Sequence, residues 1–402
     1  MKRQTSSTMG SIMTSEKRIG THNGCFHCDE VLAVVLLKYL PEYKNATIVR
    51  SRDPDILSTC DVVVDVGGVY DPETLRFDHH QKDFSLTWSQ YFGVKMWDVK
   101  LSSAGLVYVH FGKRVLSLLT GLEIGHEVLE KIYMKIYESF ILEIDGQDNG
   151  IPQSKTPLKY NIGTSLYCRV RRLNPWWNNE SEESETAFQR AINLVSREFL
   201  DTVDYFTNCW WPARNIVAKA MNVRGDVDSS RTIIVLDRSC PWKSHLFDLE
   251  REERMETVVY PEPLRQTSYR PIPKFPPQIL FVILPSDGNW VVQAVPKDKF
   301  GIRLPFPTDW RSLQDDQLCA MTGISGCIFV HNCGHLGSNK TRDGAIEMAR
   351  FVVNESKLQQ ENVIRTALTP PKFSRGRGRK SFVNNRNKKY IIRKLGTWSI
   401  FA

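Results

Sequence analysis

Three groups of acidic and histidine residues in the first 150 positions have the composition of a divalent-metal site. The first lies in residues 21–30 (THNGCFHCDE), the second joins Asp65 to Asp78-His79-His80, and the third lies in residues 143–150 (EIDGQDNG). Carboxylate oxygens mixed with imidazole nitrogens suit Mn²⁺ or Mg²⁺ better than a structural zinc site. If the three groups meet in the fold, they can hold the two cations that a phosphoester hydrolase uses.

The segments around these groups predict a parallel α/β sheet. Residues 18–21 and 46–50 are strand-like, residues 29–40 predict a helix that Pro41 ends, and residues 61–66 predict a buried strand. The order strand, helix, strand, strand favours parallel pairing in a doubly wound sheet. Ligands of such sheets bind outside the carboxyl ends of the strands, so we expect the His22 loop and Asp65 to meet there.

The remaining sequence predicts more helices and a smaller second α/β region. We expect helices over 102–119 and 127–144, a loop over 151–179, and a helical run over 184–221 that Pro212 interrupts. Strands are predicted over 232–236, 279–284, 290–295 and 327–331, an inserted loop over 251–277, and a helix over 343–357. The predicted organisation is a disordered or targeting segment (1–17), a catalytic domain (18–180), a helical connector (181–225), a substrate-binding α/β domain (226–358) and a basic disordered tail (359–402).

Composition and charge narrow the functional class. The chain has 402 residues, of which 41% are hydrophobic, and no run of eighteen apolar residues that would predict a membrane span. The formal charge of +8 comes from the tail, because residues 370–402 hold ten Lys or Arg and no Asp or Glu, which leaves 43 basic against 45 acidic residues elsewhere. Such a tail suits phosphate contacts that do not depend on base sequence.

The cysteines predict a reducing compartment. Nine of them are scattered over the chain, which does not match an even disulfide framework. Cys25 and Cys28 form a CxxC pair, but the chain lacks a second pair to complete a zinc site, so we interpret these thiols as incidental.

The acidic and histidine motifs resemble those of the DHH phosphoesterase superfamily. Within that superfamily the chain resembles the melanocyte-proliferating-gene family from about Ile19 to Phe351. The resemblance also covers residues 62–68 (VVVDVGG), 101–108 (LSSAGLVY), 284–297 (LPSDGNWVVQAVPK), 303–311 (RLPFPTDWR) and 322–331 (TGISGCIFVH). Because that family is associated with 3′→5′ RNA exonuclease activity, the resemblance implies a two-metal phosphodiesterase that uses Mn²⁺ or Mg²⁺ and shortens single-stranded RNA from its 3′ end.

The resemblance also implies roles for individual residues. One ion is expected on His22, His27 and Asp65, and the other on Asp29, Asp65, His79 and Asp145. Asp78 is expected to orient a neighbouring histidine, and His80 to reach the scissile phosphate. His27 stands where the superfamily more often has Asp. Asp148 has two open interpretations, an assisting ligand or part of an Asp-Asn-Gly turn.

The second α/β region is expected to hold the rest of the substrate. The candidate contacts are Arg303, Arg311, His331, Gly334, Asn339 and Lys340. Arginine forks suit phosphate, although a solvated loop arginine is an equally good interpretation of each. Related proteins tend to have Gly-Gly-His where this chain has Gly337-Ser338-Asn339. Trp176 and Trp177 are expected to pack between domains, with stacking on bases as the alternative.

Two further functions stay open at the level of sequence. One is hydrolysis of small phosphoanhydrides or of cyclic and dinucleotides, since fold does not settle substrate. The other is non-catalytic RNA binding. The first eighteen residues, rich in Ser, Thr, Lys and Arg, predict mitochondrial targeting or a disordered end, and the basic tail is consistent with the nucleus. The sequence makes no prediction of oligomeric state.

Overall fold

A computed structural model describes residues 16–178, 183–253, 278–297 and 301–368, with side chains to residue 359. Most of the predicted targeting segment, most of the predicted inserted loop and the basic tail beyond residue 368 lie outside these residues. Residues 359–368, predicted to begin the disordered tail, instead continue the last helix (Arg342–Leu368). The chain divides into two compact units, of which the first comprises Met1–Val259 and Arg270–Val352 and contains both sheets. The second comprises Tyr260–Tyr269 and Val353–Ala402, and its described part is the end of the last helix. The predicted division into five segments stays a prediction.

The first sheet in the described residues has five strands in the order β2-β1-β3-β5-β4. The strands are β1 (Arg18–Thr21), β2 (Thr47–Arg50), β3 (Val62–Val64), β4 (Tyr70–Asp71) and β5 (Arg76–Phe77). β1 pairs in parallel with β2 and β3, β3 pairs in parallel with β5, and β4 alone runs antiparallel. The carboxyl ends of β1, β3 and β5 therefore lie side by side along one edge, where three loops can converge.

Buried helices support this sheet. The helices of this part of the chain are α1 (Cys28–Lys38), α2 (Pro54–Ser58), α3 (Trp88–Phe92), α4 (Ser103–Thr120), α5 (Glu127–Ile136), α6 (Leu142–Asp148), α7 (Leu166–Arg171), α8 (Ser184–Asp204) and α9 (Trp211–Asn222). From Cys28 to Leu37 every residue of α1 is buried, because α4 and α8 also pack against it. An apolar all-round helix is expected in such a position. α1 is thus held rigidly where its first turn reaches the strand ends.

A second five-stranded sheet lies further along the chain, in the order β6-β7-β8-β10-β9. Its strands are β6 (Ile233–Val235), β7 (Phe281–Ser286), β8 (Asn289–Ala294), β9 (Cys327–Val330) and β10 (Leu336–Asn339). The accompanying helices are α10 (Arg224–Val227), α11 (Lys243–Glu252), α12 (Asp315–Thr322) and α13 (Arg342–Leu368). Within this sheet the β6–β7 pair is parallel and the other pairs are antiparallel. A separate apolar cluster, which includes Met221, Ile234 and Leu246, packs beside this sheet.

The mixed α/β class is confirmed, whereas the doubly wound arrangement stays a prediction. Three local predictions differ from the structure. Residues 151–179 contain the short helix α7. The interruption of the 184–221 run is a π-helical turn over Tyr205–Trp210, after which Pro212 begins α9 in the first turn, where its missing N–H costs nothing. Residues 337–340 are by composition a candidate for a Gly-rich substrate loop, but residues 337–339 lie in β10 because strands on both sides pair with them.

Gly112 tests how tightly α4 packs. A Cβ at this position would lie 2.8 Å from the Tyr108 ring and 2.9 Å from the Tyr133 ring. We expect Gly112→Ala to lower the free energy of unfolding by about 1–3 kcal/mol through overpacking. Gly146→Ala is the matched control, because a Cβ there meets only Val99 at 3.9 Å. Chemical denaturation should show Gly146→Ala neutral or stabilised, and equal behaviour of the two variants would contradict the packing argument.

Candidate metal centre

Three loops at the carboxyl ends of adjacent strands bring the metal-site candidates together. His22 follows β1, Asp65 follows β3, and Asp78, His79 and His80 follow β5. The first turn of α1 adds Asp29 and Glu30, and the end of α6 adds Asp148. Ligating atoms of this set lie within 4.8 Å of one another in three overlapping groups: His22, His27, Glu30 and Asp65; Asp65, His79 and His80; His27, Asp29 and Asp148.

Asp65 lies at the centre of the cluster. Its Oδ2 is 3.3 Å from His22 Nε2, and its Oδ1 is 3.3 Å from His79 Nε2. Ser103 Oγ, at the start of α4, donates to Oδ1 at 3.0 Å. The backbone of Asp65 has φ 59°, the left-handed region that aspartate enters more readily than most residues and that is common at functional sites. Its two carboxylate oxygens therefore face different histidines, as a bridging ligand requires.

On one side of Asp65 the residues His22, His27 and Glu30 converge. His22 Nε2 is 3.1 Å from Glu30 Oε1, and both side chains are buried. The Glu30 carboxylate also accepts two hydrogen bonds from the His27 backbone N–H, at 2.8 and 2.9 Å, as in a capping box at the start of α1. One carboxylate thus fixes the helix start and points at the site.

On the other side His79 faces two more carboxylates. His79 Nε2 lies 3.1 Å from Asp148 Oδ2 and 3.8 Å from Asp29 Oδ2. Asp29 is fully buried, and neither of its oxygens has a hydrogen-bond donor in the described structure. Since an unpaired buried carboxylate is costly, these two oxygens fit a divalent cation, for which carboxylate and imidazole are suitable ligands.

Asn149 fixes the orientation of the His79 ring. His79 Nδ1 is 3.2 Å from Asn149 Oδ1, and the Asn149 amide donates to the carbonyls of Lys100 and Asp145 at 3.0 and 2.9 Å. Because the amide nitrogen is used in this way, Oδ1 must accept from Nδ1–H. Nε2 is left to face the carboxylates, as a metal-ligating histidine does when its other nitrogen is held.

Asp78 orients His80 and does not enter the cluster itself. Its Oδ1 accepts from His80 Nδ1 at 2.8 Å, and its Oδ2 accepts from the Gly68 N–H at 2.6 Å. The Asp78 carboxylate raises the pKa of His80, although partial burial opposes this effect. The His80 side chain is 62% exposed, so its ring is available to an anionic substrate.

The structure does not bring Asp145 into the cluster. Its Oδ1 accepts from the Ser102 N–H, the Ser102 hydroxyl and the Gly105 N–H at 3.0, 2.8 and 3.1 Å, and its Oδ2 accepts from the Tyr137 hydroxyl at 2.9 Å. The carboxylate is wholly buried, and burial raises its pKa to about 7 despite these donors. Asp145 holds the start of α4, and with it Ser103, whereas Asp148 lies in the cluster, 3.1 Å from His79 Nε2.

The pKa shifts of the clustered side chains reflect an excess of buried negative charge. Burial and the neighbouring Asp65 and Asp148 raise the pKa of Asp29 well above its usual range, and burial also raises that of Glu30. Burial alone would lower the pKa of His22, but Asp65 and Glu30 outweigh it and raise the value to about 10. The pKa of His79 rises to about 9 for the same reason, through Asp148 and Asp65. These raised pKa values indicate an excess of negative charge in the cluster, which a bound cation would compensate.

A cavity of about 240 Å³ opens onto this centre. Its lining includes His22, His27, Asp65, Asp78, His80 and Arg52. Arg52 is exposed and donates to Asn23 Oδ1 at 3.1 Å and to the Asn23 carbonyl. The neighbouring Arg50 is buried and instead holds the loop, donating to the His22 and Gly24 carbonyls at 3.3 and 2.6 Å.

The predicted substrate contacts of the second region have different environments. Arg303 pairs in a bidentate manner with Glu250, at 2.7 Å for both bonds, and its guanidinium is therefore used within the protein. Arg311 donates to the Phe306 carbonyl at 3.1 and 3.0 Å. Asn339 is fully buried and bonds to Ser325 and Thr341, so its amide has no open face for substrate. His331 and Lys340 are exposed.

Gly334 is buried in the turn that links β9 to β10. Its positive φ of 68° is unfavourable for residues with a side chain, and Arg311 occupies the space that a Cβ would need.

The expectation that Trp176 and Trp177 pack between domains is wrong. These rings are 67% and 95% exposed. Their segment is joined to the metal-site loop, because the Asn174 amide exchanges two 2.8 Å hydrogen bonds with the Phe26 backbone. Exposed aromatic rings are available for stacking on bases, the alternative that the sequence left open.

Sequence reasoning missed the parts played by Glu30, Ser103, Asn149 and Arg52. Glu30 could have been found from its place three residues after His27, the spacing of a capping box. The Ser102-Ser103-Ala104-Gly105 run also carried a signal, because small residues at a helix start let other side chains approach closely. Cys25 and Cys28 join none of the metal-ligand groups of the described residues.

Comparison with known proteins places this site in a family. The model of the MYG1 exonuclease family, described as uncharacterised protein family UPF0160, matches residues 18–353. The chain is 47% identical over 338 residues to "MYG1 exonuclease" of Mus musculus, covering 83% of this chain and 84% of that one. It is 44% identical to the Homo sapiens protein of the same name, covering 85% and 86%, and 36% identical to "MYG1 protein YER156C" of Saccharomyces cerevisiae, covering 83% and 95%.

Among solved structures the chain is similar to RecJ of Thermus thermophilus in complex with Mn²⁺. The identity is 12% and the TM-score 0.21, and the match covers 84% of this chain and about half (52%) of RecJ. Family membership rests instead on the family model and on the relatives that match over most of their length. The chain belongs to the MYG1 exonuclease family.

Proposed function

We propose that this protein is a two-metal phosphodiesterase that shortens RNA from its 3′ end. The single observation that carries the proposal is the buried Asp29 carboxylate, whose two oxygens lack donors while facing His79 and Asp148. Relatives named exonucleases support a nucleic-acid substrate. The proposed ions are Mn²⁺ or Mg²⁺, since oxygen ligands predominate.

The geometry supports a ligand set that differs from the sequence prediction at two positions. One ion would be held by His22, His27, Glu30 and Asp65, and the other by Asp29, Asp65, His79 and Asp148. Glu30 is added to the first set, and Asp148 replaces Asp145 in the second. Such ions would supply Lewis acidity at the phosphoryl oxygens and lower the pKa of a nearby water.

Protein side chains do the remaining work at the phosphate. His80 is held by Asp78 through Nδ1, so its second ring nitrogen can donate to a phosphate oxygen. Arg52 lines the same cavity and adds a guanidinium that suits phosphate. Ser103 and Asn149 hold Asp65 and His79 in place through their hydrogen bonds.

The preference for RNA over small phosphates is supported by the exposed tryptophans. Trp177 is 95% exposed on a segment that Asn174 joins to the His22–His27 loop, and an exposed ring of this kind can stack on a base. A small phosphoanhydride offers no base to stack on these rings. The RNA substrate, its single-strandedness and its 3′ end are parts of this proposal.

Asp65→Ala should abolish hydrolysis. Removing the central carboxylate separates the two halves of the cluster, and we expect a loss of more than about a hundredfold, since even supporting residues of metal sites contribute 10–100-fold. The measurement is a time course on a 5′-labelled RNA in Mn²⁺, where the wild type should give a descending ladder. Asp201→Ala, which alters a side chain 74% exposed on α8, is the control. A ladder that persists in Asp65→Ala rejects the site.

Asp145 and Asp148 should differ in what their loss affects. Asp145→Ala leaves several buried donors unpaired, and we expect it to lower the free energy of unfolding by about 3 kcal/mol or more, at roughly 1–3 kcal/mol for each donor. Asp148→Ala should leave stability near that of the wild type and weaken Mn²⁺ binding. Denaturation and calorimetric Mn²⁺ titration of both variants check this. Unchanged Mn²⁺ affinity in Asp148→Ala would restore Asp145 as the better candidate ligand.

Trp177→Ala should impair only substrates with bases. We expect KM for a twelve-nucleotide RNA to rise about tenfold, within the roughly 1–3 kcal/mol that one base–aromatic stack contributes. Turnover of bis-p-nitrophenyl phosphate should not change, because this diester has no base. Tyr205→Ala, which truncates an exposed ring in the π-helical turn over Tyr205–Trp210, is the control. An equal loss on both substrates would argue against stacking.

A further inference from the structure

A second cluster of metal-ligand side chains lies in the turn between β9 and β10. Here His331, Cys333 and His335 alternate along the chain, and one ligand atom of each lies within 4.8 Å of the others. Cys333 Sγ is 2.9 Å from His331 Nδ1 and 3.5 Å from His335 Nδ1. Sγ also lies 3.3 Å from Asn332 Oδ1. This cluster contains no carboxylate, so its chemistry differs from that of the acidic centre.

The spacing of these atoms matches a tetrahedral ion. Zinc–sulfur and zinc–nitrogen bonds of about 2.3 and 2.0–2.1 Å place neighbouring ligand atoms about 3.3–3.8 Å apart. The Cys333–His335 separation already has that length, and the Cys333–His331 separation would need to open by less than about 1 Å. A thiolate with two imidazoles selects a borderline or soft cation over Mg²⁺ or Ca²⁺.

The backbone of the turn is fixed by hydrogen bonds within the turn and from two neighbouring segments. The His331 N–H donates to the Leu336 carbonyl, and the Gly334 N–H donates to the His331 carbonyl, both at 2.8 Å. Phe306 and Ala294 N–H groups donate to the Gly334 and His335 carbonyls, both at 2.9 Å.

Gly334 is required between the two ligands that flank it. A Cβ on this residue would lie 2.7 Å from Arg311 Nε. The three ligands therefore need little ordering on binding, which favours affinity.

We propose that His331, Cys333 and His335 form a site for a thiophilic divalent ion of the Zn²⁺ class. The ion would have three protein ligands and a fourth position on the solvent side, since His331 and Cys333 are exposed. With one thiolate and two neutral imidazoles the bound site carries a net positive charge. This site would be separate in sequence and in ligand type from the centre around Asp65. Its metal binding could therefore be measured without reference to nuclease activity.

Cobalt binding to the full-length protein tests the site. Reduced, metal-free wild type titrated with Co²⁺ should develop a sulfur-to-cobalt charge-transfer absorption, and Cys333→Ser should lose it. His335→Ala should weaken the affinity about tenfold or more. Cys209→Ser is the matched control, because that thiol is also exposed but belongs to none of the clusters in the described residues.

Two results would overturn the proposal. One is the absence of a charge-transfer absorption in the wild type with excess Co²⁺, and the other is its survival in Cys333→Ser. The test is independent of nuclease activity, because the acidic centre offers oxygen and nitrogen ligands. In Asp65→Ala the absorption should remain, which separates the two sites even if the hydrolytic proposal fails.

Discussion

Crowding of carboxylates in a buried space is the constraint on which the rest of this structure depends. Asp29, Glu30 and Asp65 are buried, and Asp148 lies against the same histidine as Asp29 and Asp65. Removing such groups from water is expensive unless positive charge compensates them. His22 and His79 supply part of that charge, which is why their pKa values rise to about 10 and 9. The oxygens of Asp29 remain without donors, so the imbalance is largest where a cation would bind.

The surrounding fold keeps this unfavourable cluster from relaxing. Repulsion between carboxylates could be relieved by small movements, but the loops that carry them are held on several sides. Asp65 N–H donates to the Phe77 carbonyl across the sheet, and Ser103 holds the Asp65 side chain from α4. Ser103 is in turn positioned by Asp145, whose carboxylate binds the start of α4. Asp145 thus supports the site by fixing the start of α4, although its own carboxylate lies outside the cluster.

The residue types of the metal site could be predicted from the sequence more readily than the choice between two nearby aspartates, Asp145 and Asp148. His22 and Asp65 follow strands that the sequence predicts, and parallel strands bring their carboxyl ends together. The two-residue strand β5, which precedes the Asp78–His80 run, could not be predicted, because so short a segment has no periodicity. Asp145 and Asp148 are three residues apart on one helix, so periodicity places both on a similar face. The two aspartates differ in their surroundings, because the Asp145 carboxylate packs so closely against Gly105 that a Cβ there would lie 2.5 Å from it. Only tertiary packing reveals that contact.

The same limit applies to β10 and to the second region. Gly337, Ser338 and Asn339 have weak strand propensity, and pairing with β8 and β9 imposes the extended conformation. Arg303 was a reasonable phosphate ligand by type, but a fork that matches phosphate matches a carboxylate equally well, and Glu250 occupies it.

The balance of charge at the acidic centre limits where an anionic substrate can approach. Four carboxylates would offset the four positive charges of two divalent ions, so the ions alone leave little net attraction for phosphate. In the proposed mechanism the additional positive groups on the cavity wall, Arg52 and His80, would therefore decide the direction of approach. His80 can serve in this way because Asp78 favours the charged form of its ring, most of which is exposed to solvent. With two ions bound as proposed, the third member of the Asp-His-His run would thus supply positive charge at a site where the carboxylate ligands neutralise that of the ions.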